Sequence, residues 1–123
     1  MNIKVKYFFI VNSILTLFFG LGFLIIPDFL MPLFGFSVAG DGPLAFRFFG
    51  ALILGISILT FAVRNEVPSP ARRAIIFYLF VIYILLDILK LIFCDLTNPM
   101  IWIMFAIHTT FVVAYGSFLL HPE

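Results

Sequence analysis

Hydrophobic positions in this chain neither alternate nor recur with the period of an amphipathic helix; they run on. Residues 7–26, 44–63, 74–93 and 100–120 form four apolar stretches of twenty or twenty-one residues with few polar interruptions. An α-helix needs roughly 20 such residues to cross about 30 Å of hydrocarbon. The pattern therefore predicts four transmembrane helices, at about 5–26, 43–64, 70–94 and 99–120, in a single domain covering 1–123. A transmembrane barrel is excluded, because it requires alternating segments of about ten residues. Prolines stand where helices begin, at Pro43, Pro70 and Pro99, and Pro27 closes the first run. At a helix start the missing N–H of proline costs nothing, since that donor has no partner within the helix. Short links between the second, third and fourth runs favour sequence neighbours side by side. The fold class expected is an all-α membrane protein, an antiparallel four-transmembrane-helix bundle.

Composition strengthens this picture. Hydrophobic residues make up 64% of the chain and charged residues 11%, against about one half and one quarter in soluble domains. The net charge of +1 gives no field that selects a nucleic acid or another charged macromolecule. Lys4 and Lys6 before an apolar run resemble a secretory signal. The run exceeds the usual core of about 7 to 15 residues and no small-x-small site follows, so a retained helix is expected. Basic residues mark cytoplasmic ends. Lys4 and Lys6 precede the first run and Arg64, Arg72 and Arg73 lie between the second and third, whereas 27–43 and 94–99 carry none. Both termini are expected in the cytoplasm, in a bacterial inner membrane. The apolar stretch after Pro27 is too short to cross and is expected to lie in the outer interface as an amphipathic turn or helix, or as an irregular loop on lipid. Cys94 is the single cysteine, so no internal disulfide forms.

Candidate chemistry resides in the few polar residues inside the runs. An ionisable group at mid-membrane costs about 2.5–3.5 kcal/mol on insertion scales and usually faces the interior of a bundle. Tyr83, Asp87, Lys90 and Cys94 follow at i, i+4, i+7 and i+11, one stripe of the third helix. Arg47, near the start of the second helix, lies at a similar depth and is the first partner expected for Asp87. An Asp87–Lys90 pair at i, i+3 is the alternative. Two cations with one acid leave a positive surplus suited to an anionic headgroup, a carboxylate or a polarised carbonyl. The competing reading is a structural ion-pair network with Lys90 reaching toward the headgroups. His108 lies about 13 Å into the fourth helix at 1.5 Å per residue and is expected to hydrogen-bond Thr, Asn or Tyr. His121 is too distant to share a haem or zinc with it. No metal site is expected. Asn12, Ser13, Thr16 and Gly20 on the first helix, and Ala106, Thr110 and Ala114 on the fourth, read as faces for close helix packing.

No nucleophile–base pair, paired carboxylates or metal-ligand spacing appears. The order of elements, and the stretch Arg47-Phe48-Phe49-Gly50-Ala51-Leu52-Ile53-Leu54-Gly55 with the Arg64 that ends the helix, resembles the small four-helix bacterial membrane proteins described as DoxX-like. That resemblance covers the middle half of the chain. It implies an accessory role in quinone or redox chemistry and carries over no catalytic residue. The function expected is an accessory or assembly subunit holding a lipid-like or quinone-like molecule at Arg47, Tyr83, Asp87, Lys90 and His108, with a membrane-protein partner or a second copy. The alternative is a small membrane enzyme or transporter using the Arg47, Asp87, Lys90 and His108 cluster. No cofactor is named by the sequence.

Overall fold

The computed structural model of the chain describes residues 2–121, with side chains from Val5 onward; the Lys4 side chain invoked for orientation lies outside the described residues. Five helices follow in order: α1 (Asn2–Ile25), α2 (Pro27–Leu33), α3 (Gly42–Ala62), α4 (Pro70–Phe93) and α5 (Pro99–Leu120). Four of them, α1, α3, α4 and α5, are long and apolar enough to cross a membrane. Their bounds lie within a few residues of those read from the hydrophobic runs. Large apolar side chains stand exposed on every long helix, among them Phe18, Leu52, Ile92 and Val113. So much exposed apolar surface does not suit water.

Helix ends follow their local chemistry. Ser69 Oγ accepts from the Arg72 N–H at 3.1 Å ahead of Pro70, and Asn98 Oδ1 accepts from the Met100 N–H at 3.0 Å ahead of Pro99. Each caps one orphan donor. The link between α4 and α5 is tied by Asp95, whose Oδ1 accepts from the Thr97 hydroxyl at 2.7 Å and the Thr97 N–H at 3.0 Å. Those two bonds hold the exposed Asp95 carboxyl below the usual carboxylate range, the hydroxyl contributing most. Trp102 Nε1 donates to the Leu96 carbonyl at 2.7 Å and closes the same turn.

The chain divides into two compact units, residues 9–64 and residues 1–8 with 65–123. In the first, α1 and α3 meet through small residues. Ser57 Oγ donates to the Ser13 carbonyl at 2.8 Å, and Ser13 Oγ donates to the Ser57 carbonyl at 3.1 Å. Two turns further, a methyl on Gly50 would sit 2.7 Å from both the Gly20 carbonyl oxygen and the Leu24 nitrogen. Backbone faces backbone there, and only glycine permits it. Of the expected packing face, Asn12, Ser13 and Gly20 are buried and Thr16 is half-buried. The stretch after Pro27 is the short helix α2, with Pro27 and Met31 buried against the unit. It ends at Gly35, whose φ of 82° belongs to the left-handed region. The Gly35 N–H reaches the Pro32 carbonyl and the Phe36 N–H the Met31 carbonyl, which satisfies the last orphan acceptors. Phe34 then packs on Phe19 and Phe23, and Phe23 on Phe46 and Phe49.

In the second unit α4 and α5 pair along their length: Asp87 meets Thr109, Tyr83 meets Phe111, and Arg73 meets Leu119. Phe8, from the start of α1, packs its ring edge-on against Phe111 and Phe118. The buried stripe of α4 is Arg72, Ile76, Leu79, Tyr83, Asp87 and Lys90, the face predicted from spacing, extended toward its N-terminus by an arginine. On α5 the buried residues are Ile101, Phe111 and Tyr115. The small residues Ala106 and Thr110 are instead exposed.

The glycine contact yields the first prediction. Gly50→Ala, facing immovable backbone, is expected to cost at least about 1–3 kcal/mol by overpacking. Gly55→Ala, with open space at its Cβ, should stabilise by about 0.5–1 kcal/mol through chain entropy. Thermal unfolding of the two variants in the same detergent separates them, with melting temperatures moving in opposite directions.

Candidate functional site

The site grows from two turns of α4. Residues 83, 87 and 90 share a helix face, and the pairing with α5 sets His108 and Thr109 opposite them. Lys90 Nζ lies 2.8 Å from Asp87 Oδ1 and 2.6 Å from His108 Nδ1. The Thr109 hydroxyl donates to Asp87 Oδ2 at 2.9 Å. His108 Nδ1 is 3.9 Å from Asp87 Oδ1. Asp87 and Lys90 are each only 9% exposed. Tyr83, 3% exposed, places its ring 5.0 Å from the imidazole and stacks on Phe111 at 5.3 Å. An aromatic wall thus stands beside a compact charged centre.

Taking Lys90 as an ammonium beside the Asp87 carboxylate sets the hydrogen-bond roles. An ammonium has donors only, so at 2.6 Å from Lys90 the His108 Nδ1 must accept. The imidazole is then neutral, with its proton on Nε2. Asp87 and Lys90 cancel, and the cluster carries no net charge. The Lys90–Oδ1 contact is ionic rather than a directed hydrogen bond, because buried Oδ1 accepts no well-aligned hydrogen bond among the described residues. Of the three ammonium protons, two have neighbours in Asp87 and His108. Among the described residues the third ammonium donor and Nε2–H of His108 make no further hydrogen bond.

Of the five residues singled out from sequence, the structure brings together Tyr83, Asp87, Lys90 and His108. Arg47 is exposed on α3 in the unit 9–64, and the ion-pair partner of Asp87 is Lys90 of its own helix. This i, i+3 pair, the alternative read from spacing, is the one present within the unit, and a partner three residues away needs no helix placement to reach. Within the unit the Asp87 and Lys90 charges balance. His108 also departs from expectation: its hydrogen bond goes to Lys90 rather than to Thr, Asn or Tyr. Thr109 was missed by sequence reasoning. Threonines in apolar helices commonly bond their own backbone, as Thr110 does to the Ala106 carbonyl at 2.8 Å, and only the neighbouring helix distinguishes the two. Arg72, read from sequence as a loop cation, is buried at 4% exposure. Among the described residues no group of three His, Cys, Asp or Glu is placed to hold a metal ion.

Compared with protein-family models, with curated proteins and with solved structures, the chain matches none. The reading of the site therefore rests on its geometry.

The cluster makes a specific double-mutant prediction. Lys90→Met leaves the Asp87 carboxylate in apolar surroundings and is expected to cost about 3–5 kcal/mol. Adding Asp87→Asn should restore most of that loss. Arg47→Gln added to Lys90→Met should restore nothing. The coupling is read from unfolding midpoints of the single and double variants in one detergent.

Proposed function

We propose that this chain is an integral membrane protein, an antiparallel four-helix bundle that serves as an accessory or assembly subunit and holds an uncharged lipid-like or quinone-like molecule. The observation that carries this reading is the neutral Asp87–Lys90–His108 cluster with donors to spare beside the Tyr83 ring. A charge-compensated centre has no strong call for an anion. It suits a carbonyl oxygen, which accepts hydrogen bonds without bringing charge into a region of low dielectric. A quinone ring or a lipid ester offers such an oxygen together with an apolar body. Tyr83, Phe111 and Tyr115 stack on one another beside the cluster and give it an apolar, aromatic border. The resemblance to DoxX-like proteins points in the same direction. The cluster supplies orientation and hydrogen bonds, and the reading assigns it no bond-making step.

The basic residues Lys6, Arg64, Arg72 and Arg73 support an orientation with both termini on the cytoplasmic side of a bacterial inner membrane. Lys90 and His108 then lie in the outer half of the bilayer. Reporter tags at either end should be reached from the cytoplasm only; labelling of a tagged terminus from outside intact cells contradicts the orientation.

The ligand reading is tested by native mass spectrometry of gently purified protein after exchange with a long-chain quinone. The expected result is one retained quinone per chain. It should be lost in the Asp87→Asn, Lys90→Met double variant, which removes both charges together and keeps its yield. Retention by that variant, or no retention by the wild type, contradicts the proposal.

A further inference from the structure

Two hollows lie along the C-terminal half of α5 and at the start of α4. The first, an apolar groove of about 480 Å³ on α5, is lined by Phe8, Thr109, Thr110, Val113, Ala114, Ser117 and Phe118, with the Phe8 and Phe118 rings in edge contact at 5.8 Å. Its hydroxyls make few demands: Thr110 is bonded to the Ala106 carbonyl and Thr109 to Asp87. The groove exists because the small side chains of α5 are left open beside the projecting rings of Phe8 and Phe118.

Phe118 also lines a cleft of about 290 Å³ together with Pro68, Ser69, Pro70, Arg72, Arg73 and Ile76. The cleft is cationic. Exposed Arg73 spends one donor on the Leu119 carbonyl at 2.8 Å, and a guanidinium has five. The N-terminus of α4 adds its dipole to the same end.

We propose that groove and cleft together bind one anionic phospholipid, with an acyl chain in the groove and the phosphate-bearing headgroup at Arg73. Length supports this occupant. From Thr109 to Phe118 the groove covers nine residue steps, about 14 Å at 1.5 Å per residue, close to half of a hydrocarbon layer about 30 Å thick. It therefore spans one leaflet and stops near the midplane. Charge supports it as well, because arginines at the membrane surface select negative headgroups, and on the cytoplasmic side such lipids are abundant. The groove shares Thr109 with the Lys90 cluster but differs in its polar end, which takes a charged headgroup where that cluster suits a neutral carbonyl.

The test compares phosphatidylglycerol with phosphatidylcholine of the same acyl chains, titrated into delipidated full-length protein and read by native mass spectrometry. Wild type should bind one phosphatidylglycerol about fivefold or more tightly than phosphatidylcholine, the effect of about one basic residue at a membrane surface. Arg73→Gln should bring the two lipids to equal affinity and Arg73→Lys should keep most of the preference. Ala114→Phe, which fills the groove, should weaken both lipids. Equal affinities in the wild type overturn the proposal. So does inorganic phosphate that competes as well as the lipid, which would make the tail irrelevant, or a wild-type dimer dissolved by Ala114→Phe, which would give the groove to a second copy. The quinone arm above uses variants at 87 and 90, so failure at one site is distinguishable from failure at the other.

Discussion

A charge inside an apolar helix must be compensated where it stands, because its desolvation cost far exceeds any single packing contact. The unit 1–8 with 65–123 is organised around that constraint. Asp87 and Lys90 are placed on one helix face by their spacing and answer each other at 2.8 Å. The pair then imposes conditions on α5. A residue there must accept from the ammonium and another must donate to the carboxylate, and His108 and Thr109 meet them at 2.6 and 2.9 Å. Since one residue step along a helix changes the facing side chain by about 100°, these bonds fix register between the helices more sharply than Leu–Ile packing does.

The unit 9–64 solves its packing without charge. Reciprocal bonds between Ser13 and Ser57, and the close approach at Gly20 and Gly50, bring α1 and α3 together by small residues. Interhelical hydrogen bonds of this kind contribute only about 0.6 kcal/mol on average, so the van der Waals fit of the glycine contact carries more. Phenylalanines fill what remains around α2. The two units thus use different means: one is held by a polar knot with aromatic walls, the other by backbone proximity.

Much of this was legible in the sequence. Hydrophobic runs gave the four long helices to within a few residues, since length and continuity of apolar character need no tertiary information. The 83–87–90 stripe and the 12–13–20 face also followed from helical periodicity. What stayed hidden depended on neighbours. Periodicity places Asp87 and Arg47 at similar depth but does not say which face each presents, and the local partner Lys90 prevailed. The Ala106–Thr110–Ala114 spacing reads as a packing face, yet Ala106 and Thr110 are exposed and Ala114 half-buried. Arg72 counts with the basic residues between the runs, and although the helix is read from 70, periodicity does not show that its side chain is buried.

The central claim is that Asp87, Lys90 and His108 form one neutral cluster in which the ammonium donates to an unprotonated imidazole nitrogen. Nitrogen-15 NMR of the protein in lipid bilayers, with lysine and histidine side chains labelled, measures this directly. The account predicts a charged Lys90 Nζ in contact with a non-protonated His108 Nδ1 and a protonated Nε2. A His108 imidazolium, or a proton on Nδ1 facing Lys90, contradicts it.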